Sequence, residues 1–370
     1  MVQQLHTSIV LPDLNAFVGI PPNCGVNPHH DVACAESREW FAQYNKAIFG
    51  PKMAAFLESC KFELICSYTY PHVDKEGLRA TMDWVRPCPL ATKDSLLTIW
   101  QHNILWFFDE VTDTETGKDA THSAEVVIRT LRDPEYEDGS SLCRMIKEFR
   151  INHLARAGPE CRRRFLEHCD VAFPAGAREA ELREQGKVLS IEGYRTLRRE
   201  TSGARTCFDM GEYLAGIDLP QSVYDLEDFR VGYDAALDLI FLANDMYSYN
   251  MEQAKGHHGA NIVTVVMKEK KCSIQDAIDY IAEMCQERLD EYQKAKASLA
   301  RRARSENDKV YANALRDGVQ ALEEYGHWVR GNIEWSFKTE RYFGKQNKAV
   351  KESLVVVLAN PNSTDRKLAQ

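Results

Sequence analysis

The sequence predicts an all-α protein, and two observations support that prediction. Apolar residues recur at helical spacing along most of the 370 residues, whereas the alternation typical of strands is scarce. The helical stretches are separated by short clusters of breaking residues, such as GIPPNCGVNP (19–28) and GIDLP (216–220). With 44% hydrophobic and 10% aromatic residues, the chain can bury a sizeable core.

The periodic stretches, taken in order along the chain, predict about ten to twelve helices. They lie near residues 35–49, 53–65, 74–86, 94–113, 142–156, 160–171, 189–214, 221–252, 259–269, 272–292 and 308–342. Further breaks are predicted at RPCP (86–89), RDPEYEDGSS (132–141), FPAGA (173–177) and KGHHG (255–259).

The segment at 272–292 shows the helical pattern clearly. Ser273 and Asp276 have the spacing of a capping box, in which each side chain bonds to a backbone amide of the first turn. The apolar residues that follow share one face, which predicts an amphipathic helix with that face buried. They are Ala277, Ile281, Met284, Cys285, Leu289 and Tyr292.

The chain shows no repeat, linker or change of composition that would divide it. We therefore predict a single helical domain over 1–350, with an N-terminal strap at 1–30 and a loose C-terminal tail at 351–370. The net charge of −9, with both signs interspersed, argues against a nucleic-acid partner. Neither a signal peptide nor an apolar run of membrane-spanning length is visible, so we expect a cytoplasmic protein without a membrane span.

The cysteine pattern argues against disulfides and zinc. The eleven cysteines are scattered and include no CxxC pair. We expect reduced thiols in core positions, without a disulfide framework or a zinc site.

One predicted helix carries carboxylates on an aromatic stripe. In SLLTIWQHNILWFFDEVTD (95–113), an advance of 100° per residue places Trp106, Asp109 and Asp113 on one side. The C-terminal half of the helix is apolar nearly all round, which predicts a buried position.

A second predicted helix repeats this arrangement. In NDMYSYNME (244–252), Asn244, Ser248 and Glu252 follow at four-residue spacing, directly after the apolar run LDLIFLA (237–243). If the two helices face each other, they form a pocket with an apolar floor and a rim of oxygens.

The chemistry of that rim predicts its ligand. Buried carboxylates require cations, and oxygen donors suit Mg²⁺ or Mn²⁺ better than zinc. Mg²⁺ keeps several waters and prefers to share phosphate oxygens, so a diphosphate is the implied companion.

Four segments resemble class I terpene synthases, in particular the single-domain sesquiterpene synthases of fungi of the basidiomycete type. DEVTD (109–113) is similar to their aspartate-rich motif, and NDMYSYNME to their second metal motif. WSFKTERY (335–342) resembles the segment that ends in their Arg-Tyr diphosphate clasp. LRRETSG (197–203) resembles their diphosphate-sensing segment.

The resemblance implies a helical bundle with a central active-site cavity and three bound Mg²⁺ ions, with Mn²⁺ as a substitute. The implied metal ligands are Asp109, Asp113, Asn244, Ser248 and Glu252. The implied diphosphate ligands are Arg199, Lys255, Arg341 and Tyr342, with Arg198 as the alternative to Arg199. Lys255 stands in for a lysine that many relatives carry at the position of Met251.

The same resemblance implies ionisation of farnesyl diphosphate, cyclisation of the carbocation to a sesquiterpene, and release of diphosphate. Gly203 would break a helix so that its carbonyl faces the cation, while Trp106, Phe241 and Trp335 would stabilise the positive charge through their ring faces. The alternatives are a trans-prenyltransferase, which needs a second DDxxD motif, and a helical scaffold without catalytic activity. The product skeleton, the use of geranyl diphosphate, the proton acceptor and the choice between monomer and homodimer stay open.

Overall fold

The structure is a computed structural model that describes residues 8–17, 19–42, 58–85, 117–255 and 258–359. In these ranges the regular structure is helical apart from one pair of short strands, which confirms the all-α prediction. The helices of the first half are α1 His30–Ala42, α2 Phe62–Thr69, α3 Lys75–Val85, α4 Gly117–Arg132, α5 Ser141–Asn152, α6 Pro159–Glu184 and α7 Ile191–Thr201. Those of the second half are α8 Ala204–Leu214, α9 Gln221–Tyr224, α10 Glu227–Lys255, α11 Ile262–Lys270, α12 Ile274–Ser305, α13 Lys309–Lys338 and α14 Asn347–Ser353.

Four single turns of 3₁₀ helix and two strands complete the regular structure of these ranges. The 3₁₀ turns are Leu14–Ala16, Leu154–Arg156, His258–Ala260 and Gly344–Gln346. Strand β1, Ser8–Val10, pairs antiparallel with strand β2, Val355–Val357. No helix in the part of the chain that the structure describes is both long enough and apolar enough to cross a membrane.

Helix α10 lies at the centre of the fold. It packs against α12 and α13 along its length, and against α7, α8 and α11 on its other sides. Every residue from 235 to 249 is buried. A helix that is apolar nearly all round requires such surroundings, and any polar group on it must find a partner inside the protein.

Helix α12 confirms the capping box and the buried face predicted for it. Ser273 accepts a hydrogen bond from the amide of Asp276, whose carboxylate accepts one from the amide of Ser273. The predicted apolar face is buried from Ala277 to Tyr292. The helix is longer than predicted because the stripe continues through Leu299 to Ala303.

Helix α6 corrects the break predicted at FPAGA. The helix continues to Glu184, with Pro174 in its interior. Proline removes one amide donor, but its neighbours Phe173 and Ala177 lie on the buried face of the helix. Burial of that face offsets the lost hydrogen bond.

The two ends of the described chain are joined. Val356 and Leu358 are buried, and the Leu11 amide donates a 2.8 Å hydrogen bond to the Leu354 carbonyl. The tail, which was predicted to be loose from residue 351 onward, instead continues α14 to Ser353 and forms β2 as far as Val357. Burial of those apolar side chains favours the ordered arrangement.

Candidate active site

The predicted oxygen-bearing side chains lie in the C-terminal half of α10. Asn244 is 6% exposed, Ser248 is 2% exposed, and Glu252 is half-buried. Their four-residue spacing places them on successive turns of one face. The helix thus carries the amide of Asn244 and the hydroxyl of Ser248 in the interior and the carboxylate of Glu252 at its edge.

Asn244 connects two distant segments. Its Nδ2 donates a 2.7 Å hydrogen bond to the hydroxyl of Tyr342, and its Oδ1 accepts one of 3.1 Å from Nη2 of Arg198. Tyr342 of the C-terminal Arg-Tyr pair and Arg198 of α7 therefore meet at the first residue of the second metal motif.

Asp245 accepts three hydrogen bonds from the protein. Its Oδ1 accepts from Nε of Arg198 at 3.1 Å, and its Oδ2 accepts from the hydroxyl of Tyr194 at 2.6 Å and from the amide of Ile262 at 3.0 Å. Burial raises the pKa of the Tyr194 phenol, with Asp245 as the second cause, so this phenol stays protonated and donates. Asp245 joins α10 to α7 and to the start of α11, and it fixes the guanidinium of Arg198.

Glu252 is oriented by Asn261, a residue that the sequence analysis did not select. Nδ2 of Asn261 donates to Glu252 Oε2 at 2.9 Å and to the Asp245 carbonyl at 2.8 Å. Its Oδ1 caps α11 by accepting from the Val263 amide. Asn261 is fully buried, so its position is fixed by these bonds. The ANIV segment (260–263), which follows the second metal motif after seven residues, was the available signal.

The structure places Arg199 away from these oxygens. Its Nε and Nη2 donate to the two carboxylate oxygens of Asp238 at 2.6 and 2.8 Å, and its Nη1 donates to Asp234 at 3.0 Å. Asp238 lies six residues before Asn244, roughly 9 Å along the helix axis. Arg198, the alternative, is the arginine of this pair that contacts Asn244.

The C-terminal pair and Trp335 lie together. Arg341 is 4% exposed, and its guanidinium carbon lies 5.7 Å from the ring centroid of Tyr342. The Trp335 ring meets that of Tyr342 edge-on at 5.7 Å, and its Nε1 donates to the Cys60 carbonyl at 2.9 Å. Trp335 thus supports Tyr342 and anchors α13 to the start of α2. Phe241 is completely buried in α10, one turn before Asn244.

Gly203 forms the helix break that the resemblance implied. It separates α7 from α8, and its φ of +67° lies in the left-handed region. Its carbonyl accepts a 2.9 Å hydrogen bond from the Thr206 hydroxyl.

Three of the predicted site residues, Trp106, Asp109 and Asp113, lie outside the described residues. Lys255 is the last residue of α10. The roles inferred for these four residues stay predictions.

The donor set in α10 fits a hard divalent cation. Asn244, Ser248 and Glu252 offer amide, hydroxyl and carboxylate oxygens, without sulfur or imidazole, which are the ligand types of Mg²⁺. Arg198 and Tyr342 bring N–H and O–H donors to the same place, where they can bind an anion. This arrangement can hold a metal ion and a polyanionic group side by side.

Known proteins share this sequence and this fold. A family model described as terpene synthase family 2, C-terminal metal binding, matches residues 102–291. Viridiflorene synthase Agr2 of Cyclocybe aegerita is 63% identical to the chain over 361 residues, covering 98% of this chain and 88% of that protein. Sesquiterpene synthase Agr5 of the same organism is 47% identical over 352 residues, with 95% and 76% covered. A sesquiterpene synthase of Galerina marginata is 45% identical over 347 residues, with 94% and 93% covered.

Solved structures show the same fold. Hedycaryol synthase in complex with HEPES matches with a TM-score of 0.71 at 20% identity, covering 88% of this chain and 98% of that chain. Germacradien-4-ol synthase from Streptomyces citricolor gives a TM-score of 0.67 at 21% identity, with 84% and 96% covered. On the family-model match and the sequence identities, the chain belongs to the terpene synthase family, among the fungal sesquiterpene synthases.

Proposed function

We propose that the chain ionises farnesyl diphosphate with the help of divalent metal ions and cyclises the resulting carbocation to a sesquiterpene. The observation that carries this proposal is the meeting of Asn244, Arg198 and Tyr342 in the protein interior. Metal-ligating oxygens and anion-binding donors converge there from three segments. The names of the relatives at 63% and 47% identity support a sesquiterpene product and disfavour chain elongation.

Asn244, Ser248 and Glu252 would hold one divalent ion, which we take to be Mg²⁺, and Asp109 and Asp113 would hold the others. When bound, these ions supply Lewis-acid charge that neutralises a departing diphosphate. Arg198 and Tyr342 donate hydrogen bonds to the diphosphate, and Arg341 and Lys255 add positive charge. The allylic C–O bond then breaks without a protein nucleophile, and the bonding electrons leave with the diphosphate.

The protein must next exclude water, since water would capture the carbocation before its rings close. Asp245 is buried, and its three hydrogen bonds hold Arg198, Tyr194 and the start of α11 in place around Asn244. Trp335 acts through Tyr342, whose ring it supports. Phe241 and Trp106 remain the candidates for direct contact with the cation, each contributing about 0.5 to 2 kcal/mol.

Incubation with farnesyl diphosphate and Mg²⁺ tests the proposal. We expect volatile sesquiterpenes in the headspace and loss of activity when a chelator removes the metal. A longer prenyl diphosphate in the aqueous phase would identify a prenyltransferase. Unchanged substrate would identify a helical scaffold.

Asn244→Ala tests the site itself. We expect loss of turnover with unchanged helix content by circular dichroism, because the substitution removes one metal ligand and leaves the Asp245 bonds intact. Asn313→Ala on the exposed face of α13 is the matched control and should retain full activity. Full activity in Asn244→Ala would refute the assignment of the metal site.

A further inference from the structure

A second group of metal-binding side chains lies apart from the α10 oxygens. Sγ of Cys24 and ring nitrogens of His72 and His327 all lie within 4.8 Å of one another. The three residues come from the N-terminal strap, from the turn between α2 and α3, and from the middle of α13. His327 precedes Trp335 by eight residues on α13, which is roughly 12 Å along the axis.

The backbone on both sides of Cys24 is fixed to the segments that carry the two histidines. Before it, the carbonyl of Pro21 accepts a 3.1 Å hydrogen bond from Nε of Arg330 on α13. After it, the side-chain amide of Asn27 donates to the carbonyls of Tyr70 and Val73, at 2.8 and 2.9 Å.

Contact between the strap and α13 is close as well. A Cβ atom at Gly326 would lie 2.5 Å from Cδ of Pro21, so the strap packs directly on the helix next to His327. Because the strap is fixed on both sides, the thiol is held beside the two rings before any ligand arrives. Preorganisation of this kind lowers the entropic cost of binding.

The protonation state of His327 suits coordination. Burial, with the neighbouring His72 as the second cause, lowers its pKa to about 4. The ring is therefore neutral at physiological pH and offers a lone pair, as a metal ligand must. The rings of His72 and His327 lie edge to face, with centroids 5.3 Å apart.

We propose that Cys24, His72 and His327 bind a zinc ion, with water in the fourth position. One thiolate and two imidazoles form a ligand set that zinc prefers and Mg²⁺ avoids. Ligand atoms of a tetrahedral zinc site lie about 3.3 to 3.6 Å apart, given bond lengths of about 2.0 to 2.3 Å. The exposed side chains of Cys24 and His72 can rotate to close the remaining gap of roughly 1 Å.

A zinc ion at this place would link the strap to α13 and to the turn after α2. It would act as a crosslink that fastens the N-terminal segment to the core, and binding would release the proton of the Cys24 thiol. This inference does not depend on the proposed reaction, since none of the three residues contacts the α10 oxygens through a hydrogen bond that the structure describes.

Zinc competition measures the site directly. Untagged full-length protein is stripped of metal and titrated with zinc against a chromogenic chelator. We expect the wild type to bind one zinc ion more than Cys24→Ser or His72→Asn. Cys34→Ser, a half-buried cysteine, is the matched control and should bind as the wild type does. The difference between proteins is the readout because the pairs His29-His30 and His257-His258 can also bind zinc.

Cobalt substitution provides a second readout that does not depend on stoichiometry. With Co²⁺ in place of zinc, the wild type should show a thiolate-to-cobalt charge-transfer band that Cys24→Ser lacks. Zinc should also raise the Tm of the wild type but not that of Cys24→Ser. Equal zinc binding by the two proteins, or a charge-transfer band that persists in the variant, would overturn the proposal.

Discussion

Asn244 and Asp245 are adjacent residues with different tasks. The carboxylate of Asp245 accepts three hydrogen bonds, which join it to Arg198, Tyr194 and the start of α11. The amide oxygen of Asn244 accepts only from Arg198 among the described hydrogen bonds and retains a second lone pair. We therefore assign Asn244 to the metal ion and Asp245 to the positioning of its neighbours.

A comparison of Arg198→Gln with Arg199→Gln distinguishes the two arginines. Arg198→Gln should lower kcat by on the order of 100-fold or more, because it removes a donor aimed at the developing charge of the diphosphate. Arg199→Gln should retain nearly all of its turnover but lower the Tm, because the buried Asp238 loses two hydrogen bonds and keeps Arg195 at 2.8 Å and Arg288 at 4.0 Å. Steady-state kinetics and thermal unfolding measure the two effects.

The opposite outcome is equally informative. An inactive Arg199→Gln of normal stability, beside an active Arg198→Gln, would show that Arg199 contacts the diphosphate, as the sequence comparison first suggested.

Asn261→Ser tests a positioning role. Serine retains the oxygen that caps α11 but loses the amide donor that orients Glu252. We expect the Mg²⁺ concentration for half-maximal activity to rise about 10- to 100-fold, with kcat recovered at saturating metal. Loss of kcat that added Mg²⁺ does not restore would contradict this role.

At the scale of elements, the junction of α7 and α8 depends on one glycine. Gly203→Ala should cost about 1 to 2 kcal/mol, because a side chain is disfavoured at positive φ, and turnover should fall as the junction shifts. Gly139→Ala is the matched control. Its φ is +77° and nothing lies within 4 Å of an added Cβ, so it should lose similar stability at full activity. Equal activity of the two variants would show that the helix break at Gly203 has a structural role only and does not affect turnover.

Sequence patterns could predict those elements whose rules are local. The capping box at Ser273, the buried stripe of α12 and the oxygen spacing from Asn244 to Glu252 depend on residues a few positions apart, so periodicity finds them. The break at FPAGA was predicted wrongly because tertiary burial outweighed the local effect of Pro174.

Contacts between elements could not be predicted from the sequence. Arg198 and Arg199 differ by a rotation of 100° on α7, and nothing in the local pattern says which face of α7 meets Asn244. Cys24, His72 and His327 lie in three segments far apart in the chain, so spacing rules for zinc ligands could not detect them.

At the scale of the whole molecule, stability should depend on pH through Glu324. Burial, with Glu323 as the second cause, raises the pKa of Glu324 to about 7 from its usual 4.5. The folded state thus holds this proton more tightly than the unfolded state, so stability falls as pH rises from about 4.5 through 7. Glu324→Gln should raise the free energy of unfolding at pH 8 by at most about 3 kcal/mol, and the Tm should rise with it. At pH 5 the substitution should change the Tm little.

Glu283→Gln, at an exposed position of α12, is the control for that experiment. It removes one carboxylate without relieving a buried one, so it should bring no gain at pH 8. A Tm of Glu324→Gln that equals the wild-type value at both pH values would show that the carboxyl titrates normally.

The pairing of β1 with β2 affects how the protein is made. The partners of residues 8–10, at 355–357, are synthesised about 345 positions later. Until then β1 has no partner strand, and unpaired strand edges promote aggregation. The strand pair can therefore form only after all the intervening helices have been synthesised, and a nascent chain stalled before β2 should keep its first strand accessible to chaperones.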